Sequence, residues 1–141
     1  MAETTFEVEG LQELLAGLEM SPQIIKEEAE KATRASLFLF SSFLKDYPPQ
    51  PATSSYRRTG TLGRTWATAM PSFTMLGNGF EGKIGNATPY ASLVQGDGTQ
   101  ARAHEGRWQT DMQAIEASYD ATKEHYEAAA RRIVARIDPD R

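Results

Sequence analysis

The sequence has no cysteine, so neither a disulfide scaffold nor a thiolate metal site is open to it. It has two histidines, His104 and His125, in no metal-binding spacing such as H-x-x-x-H. No apolar run approaches the ~18 residues of a membrane span. The acidic N-terminal stretch also lacks the basic and apolar regions of a signal peptide, so a protein that stays where it is made and meets no membrane is expected. G-x-S-x-G, phosphate-loop and G-x-G-x-x-G patterns are all missing, and nothing in the spacing of Ser, His and Asp draws them together. No enzymatic activity, metal or cofactor is therefore expected. Basic residues are outnumbered, 15 against 19 acidic, and a net charge of -4 makes no general case for nucleic acid.

What is present is an ordinary globular composition, 40% hydrophobic and 24% charged, in 141 residues. That length suits one domain with a real core. Charge is unevenly distributed: residues 1–47 carry nine acidic and four basic side chains, and residues 48–110 carry three acidic and six basic.

The chain is organised around the stretch from Pro22 to Tyr47. Ile25, Ala29, Ala32, Ser36, Leu39, Phe43 and Tyr47 recur at steps of three and four, which predicts a long amphipathic helix. Ser21 as cap, Pro22 at the first position and a Met20–Ile25 staple mark its start, and Pro48-Pro49 its end. About 26 residues at ~1.5 Å each make a rod of roughly 39 Å. Glu27/Lys31 and Glu30/Arg34 are spaced as ion pairs on a solvated face, where Glu27, Glu28 and Glu30 form a charge run. From Leu37 to Leu44 apolar residues, Phe38 and Phe40 among them, cover most of the circumference, so a second layer or a partner subunit is expected there.

Upstream, Thr4 to Val8 alternates as a short strand, and Leu11, Leu14, Leu15 and Leu18 give a brief helix to about Glu19. Downstream, residues 48–63 read as a long loop carrying Tyr56, Arg57 and Arg58, with Arg64 just beyond. Trp66, Thr68 and Met70 fit one face of an extended segment that continues past Pro71 through Phe73 to Leu76. Gly77-Asn78-Gly79 then turns a β-hairpin back along Phe80 to Gly85, with Ile84 facing in. Tyr90 to Val94 is apolar and fits strand or helix. A second loop over residues 97–109 carries Arg102, His104, Arg107 and Trp108.

Thr110 and Gln113 predict a capping box for a last helix running to about Ile137, striped by Met112, Ile115, Tyr119, Tyr126, Ala130, Ile133 and Ile137. Glu127/Arg131 is a candidate pair on its outer face, and His125 lies one position from the stripe. The expected class is α+β: an antiparallel sheet with a hairpin, packed against a long helix in the N-terminal half and a C-terminal helix.

Three stretches then carry a resemblance: Tyr56-Arg57-Arg58-Thr59-Gly60-Thr61-Leu62-Gly63-Arg64-Thr65-Trp66, Gly85-Asn86-Ala87-Thr88-Pro89-Tyr90-Ala91-Ser92-Leu93-Val94-Gln95-Gly96, and His104 to Trp108. Together with the opening Val8-x-Gly10-Leu11, and in this order, they resemble the head-tail joining, or tail completion, proteins of tailed bacteriophages. The proline-phenylalanine pair that precedes the last helix in that family is replaced here by Gly106-Arg107-Trp108. The resemblance spans nearly the whole chain as a single head-tail joining domain. It implies a homo-oligomeric ring, sixfold by preference, in the virion at the head-tail interface after assembly in the host cytoplasm. Connector or head-closure proteins and tail tube proteins would be its neighbours, and the genome would pass through it. On that reading Phe38, Phe40, Tyr56, Arg57, Arg58, Trp66, Tyr90 and Trp108 are candidate interface residues, although core packing serves Trp66 and Tyr90 equally well. Arg57, Arg58, Arg64, Arg102 and Arg107 are candidates for weak, non-specific contact with DNA in the channel. The alternative is a small DNA-binding module using the basic 56–64 and 102–108 loops.

Overall fold

The computed structural model describes residues 2–6, 22–54 and 57–137. The expected helix over Leu11–Glu19, the cap at Met20-Ser21 and the residue Tyr56 lie outside them. The described chain is α+β, with a three-stranded antiparallel sheet in the order β1-β3-β2 and two long helices. Its strands are β1 (Ala2–Phe6), β2 (Ser72–Leu76) and β3 (Gly79–Asn86), and its helices are α1 (Pro22–Leu44), α2 (Thr61–Thr68), α3 (Ala91–Gln95) and α4 (Asp111–Ile137).

The hairpin forms as its turn chemistry dictates, with Leu76 opposite Gly79 and only Gly77-Asn78 between the strands. β3 is central, pairing with β2 on one side and with β1 on the other, where Thr4 lies opposite Ile84. The first strand is described over Ala2–Phe6, which includes Thr4 to Phe6 of the expected strand; Glu7 and Val8 lie outside the described residues. Along β3 burial alternates, with Gly82, Ile84 and Asn86 inward. A Cβ on Gly82 would come within 2.2 Å of Thr33 Cγ2, so the missing side chain is what lets the sheet lie directly on α1.

α1 and α4 run antiparallel along a seam of small residues, Ala29, Ala32, Thr33 and Ser36 on one side and Ser118, Thr122 and Ala129 on the other. The seam keeps Ala29, Ala32 and Ser36 of the expected α1 stripe and corrects the rest of it and part of the α4 stripe. In α1 the fully buried bulk is Leu37, Phe40 and Leu44, whereas Leu39 and Phe43 are only partly covered. In α4 Tyr126 and Ile133 turn inward as expected, but Met112 and Tyr119 are exposed and Ala114 and Ser118 take their place. A periodicity search rewards bulk, whereas two helices that approach closely select side chains small enough to let them. Ser36 Oγ meets His125 Nδ1 at 3.1 Å and Thr33 Oγ1 meets the Tyr126 hydroxyl at 2.6 Å across the seam. Burial raises the Tyr126 phenol, and the Thr33 hydrogen bond partly offsets it.

The main core joins Leu37, Phe40 and Leu44 to Leu62, Trp66, Ile84, Ala91, Val94 and Ala114. A second aromatic row, Phe73, Phe80 and Tyr126 at 5.5 and 5.7 Å between centroids, ties the hairpin to α4. Arg34 donates to the Pro71 carbonyl at 2.6 Å, fastening the approach to β2, and keeps its expected pair with Glu30 at 3.0 Å.

Thr61–Thr68 is helical, not extended, which shortens the expected 48–63 loop by three residues. The alternation of Trp66, Thr68 and Met70 coexists with the i,i+4 pair Leu62/Trp66, and the core rewards the second pattern because both side chains then reach Phe40's side of α1. Within the helix Thr65 and Thr68 return their hydroxyls to the carbonyls of Thr61 and Arg64. Phe40 and Trp66, candidates for an interface, are both inside the core and pack edge to face at 5.9 Å.

Glu28 is the largest departure from the expected solvated charge run. It is 2% exposed and is held by Arg132 Nε at 2.6 Å, Arg136 at 3.0 Å and Lys31 at 3.5 Å. Lys31 thus pairs with Glu28 in place of Glu27, and Glu27 goes to Arg136 at 2.8 Å. On α4, Glu127 meets Lys123 at 3.9 Å instead of Arg131.

Candidate functional site: a cleft between two loops

The Thr110/Gln113 capping box forms reciprocally, at 3.0 and 3.2 Å, and fixes where α4 begins and the 97–109 loop ends. Asp111 takes the amides of Asp97 and Met112, closing the loop's two ends together. Inside it Gln100 donates to the carbonyls of Val94 and Trp108, and Arg102–His104 makes one 3-10 turn. The loop is therefore clamped onto α3, the short helix formed by the stretch left open between strand and helix.

Facing it is the segment from Lys45 to Gly60. Tyr47 anchors this segment by accepting the Gly63 amide at 2.9 Å, and its ring tilts against Trp108 at 4.9 Å. Gly60 precedes α2 at φ 76°, and a Cβ there would meet Arg64 Nη1 at 2.9 Å. Arg64 instead donates to the Thr59 carbonyl at 2.8 Å and pins the turn.

Behind both loops sits one polar brace. Gln95 accepts the Trp66 indole N–H at 2.7 Å and donates to the Leu44 carbonyl at 2.8 Å, joining α1, α2 and α3 in the interior. Asn86 does the same for the end of β3, donating to Leu62 O at 3.1 Å and accepting from the Thr88 amide at 2.9 Å.

Between the loops lies a cleft of about 620 Å³. Trp108, Tyr47, Leu93 and Val94 form its apolar wall, Tyr90 stands at its edge, and Arg58, His104 and Arg107 are its basic groups. The Arg58 guanidinium lies 5.7 Å from the Tyr47 ring centroid and 5.3 Å from that of Trp108, and donates to the Pro48 carbonyl. His104 meets Trp108 edge to face, and its Nδ1 is buried with no hydrogen-bond partner among the described residues.

Sequence-selected positions therefore divide. Arg58, Tyr90, Arg107 and Trp108 converge on the cleft; Arg57 and Arg102 are exposed outside its lining; Arg64 holds the loop; Phe38 is exposed, at 44%, on α1. Sequence reasoning assigned no role to Leu93 or Gln95 and gave Tyr47 to the helix stripe. A polar residue closing an apolar Tyr90–Val94 run was the available signal for Gln95. Among the described residues no group of three or more His, Asp and Glu is placed to hold a metal ion, and no helix is long and apolar enough to cross a membrane.

No protein-family model, curated protein or solved structure matches the chain.

Proposed function

We propose that the protein is a structural component of a tailed-phage virion, a ring subunit at the head-tail interface that joins the tail to the capsid connector and lets DNA pass. The observation that carries this is the convergence of the resembling stretches. Arg58-Thr59-Gly60, then Tyr90, Leu93 and Val94, then His104, Arg107 and Trp108 are separated along the chain and line one cleft. Their buried members, Leu62, Trp66, Asn86 and Gln95, build the frame behind it. Motif positions that serve one shared surface fit a docking function better than a scattered coincidence of short patterns. Large apolar side chains on the two long helices, Phe38, Met112 and Tyr119, supply further surface for lateral contact.

Native mass and light scattering of the purified protein, followed by negative-stain imaging, test this reading. A discrete closed oligomer is expected, and Phe38→Glu is expected to prevent it while the far-UV helical signal stays. A strictly monomeric protein that also fails to join heads to tails in an in vitro assembly assay would overturn it.

A further inference from the structure

The cleft has a definite ligand chemistry. Among the described residues that line it the charged ones are Arg58 and Arg107, with no Asp or Glu, although acidic residues outnumber basic ones 19 to 15 in the chain as a whole. Arg58 is not a mobile surface arginine. Two aromatic rings and the Pro48 carbonyl fix the plane of its guanidinium. A guanidinium has five N–H groups, and the bond to Pro48 uses one, so a fork remains for a carboxylate. His104 also lines the cleft, and its Nδ1 is buried with no hydrogen-bond partner among the described residues. Its apolar lining is open as well: Leu93 is 52% exposed and Tyr90 41%. A volume of about 620 Å³ is of the size that encloses several side chains.

We propose that this cleft docks an acidic peptide segment of a partner protein, with a carboxylate on Arg58 and Arg107 and a large non-polar side chain against Leu93 and Trp108. Charge complementarity selects the occupant. A duplex is the less suitable partner because its phosphates run along a line, whereas these cations sit in one recess walled by aromatic and aliphatic groups. That the segment comes from a neighbouring virion subunit rests on the reading above; the peptide chemistry does not.

The protein reports on the cleft itself, because Trp108 lines it while Trp66 is sealed in the core. Fluorescence of the purified protein, at a concentration where it is monomeric, is titrated with a blocked hexapeptide carrying two glutamates and a leucine. The same peptide with glutamines and a 20-base-pair duplex are run in parallel. A saturable change is expected with the glutamate peptide, at least tenfold weaker with the glutamine peptide, and lost in Trp108→Phe. Arg107→Gln, on the exposed rim, is expected to weaken binding tenfold with an unchanged thermal midpoint, and Arg58→Lys to do so by losing the planar fork.

Equal binding of both peptides, no saturable change up to millimolar peptide, or a Trp108 response to the duplex alone would each overturn the proposal. A protein that forms rings and ignores the peptide refutes the cleft chemistry and leaves the ring. A protein that binds the peptide and never assembles does the reverse.

Discussion

Removing Arg132 and Arg136 together should destabilise the protein more than removing the carboxylate they hold. Glu28 is 2% exposed, whereas the side chains of Arg132 and Arg136 are 47% and 40% exposed. Desolvation therefore falls almost entirely on the acid. In Arg132→Ala/Arg136→Ala the carboxylate keeps only Lys31, at 3.5 Å, among its described partners; truncating the side chains that cover it also admits water, so the cost is about 2–3 kcal/mol, below that of a charge left fully buried. In Glu28→Met Arg132 swings into water, Arg136 keeps Glu27, and a side chain of similar volume fills the space, a loss expected within about 1.5 kcal/mol. For a domain of this length about 3 °C of midpoint accompanies each kcal/mol, so the double variant should melt roughly 6–9 °C lower.

The pH dependence provides a second reading. Hydrogen bonding from Arg132, ahead of Arg136, outweighs burial and holds the Glu28 carboxyl below its ordinary range; Gln23 and then Arg136 do the same for Glu27. A carboxyl whose folded value is depressed stabilises the fold fully above its unfolded value, about 4.3, and loses that contribution as pH falls through the folded value. The parent should thus weaken on acidification below about pH 4, and the gap to the double-arginine variant should narrow there, because its Glu28 protonates readily. Thermal unfolding followed by far-UV circular dichroism at pH 7 and at about pH 3, below the unfolded carboxyl value, measures both effects. If Glu28→Met proves as damaging as the double-arginine change, or if the gap is independent of pH, the reasoning about a buried, arginine-held carboxylate is wrong.

Phe40→Ala should cost about 3–5 kcal/mol in urea unfolding, since its ring is fully buried against Trp66, while Phe38→Ala should leave monomer stability within about 0.5 kcal/mol. Gly60→Ala should cost about 1–2 kcal/mol for the left-handed backbone and also displace Arg64; an unchanged midpoint would show that the turn relaxes without strain. Limited trypsin digestion should cut after the exposed Arg57 before the ring-stacked Arg58 in the free subunit, and more slowly at both in an assembled particle; equal rates would count against docking of this loop. Fluorescence anisotropy with a short duplex should detect no binding by the monomer at physiological salt. Any binding by an assembled ring should fall with a salt slope of ~0.9 per phosphate contact, and salt-resistant binding by the monomer would favour a DNA-binding module.

Signals confined to a few neighbouring residues were readable along the chain, and the folded protein keeps them. Gly77-Asn78 makes the hairpin turn, Thr110 and Gln113 cap α4, the three-four spacing yields both long helices, and the α+β class follows. Each depends on chemistry within one turn of backbone, which the sequence carries whatever packs against it. Burial depends on partners far along the chain. Glu28 reads as one member of a solvated run until Arg132, 104 residues later, covers it. Trp66 and Phe40 read as candidate contacts for another subunit until α2 folds against α1 and seals them together. Met112 and Tyr119 carry bulk in the α4 stripe, yet in that half of the helix the small Ala114 and Ser118 are the buried residues and Met112 and Tyr119 are exposed. The cleft has no counterpart at any one place in the sequence. Tyr47, Arg58, Leu93 and Trp108 meet because Gln95, a buried polar residue, ties three helices behind them, and a hydrogen bond spanning 51 residues leaves no local trace.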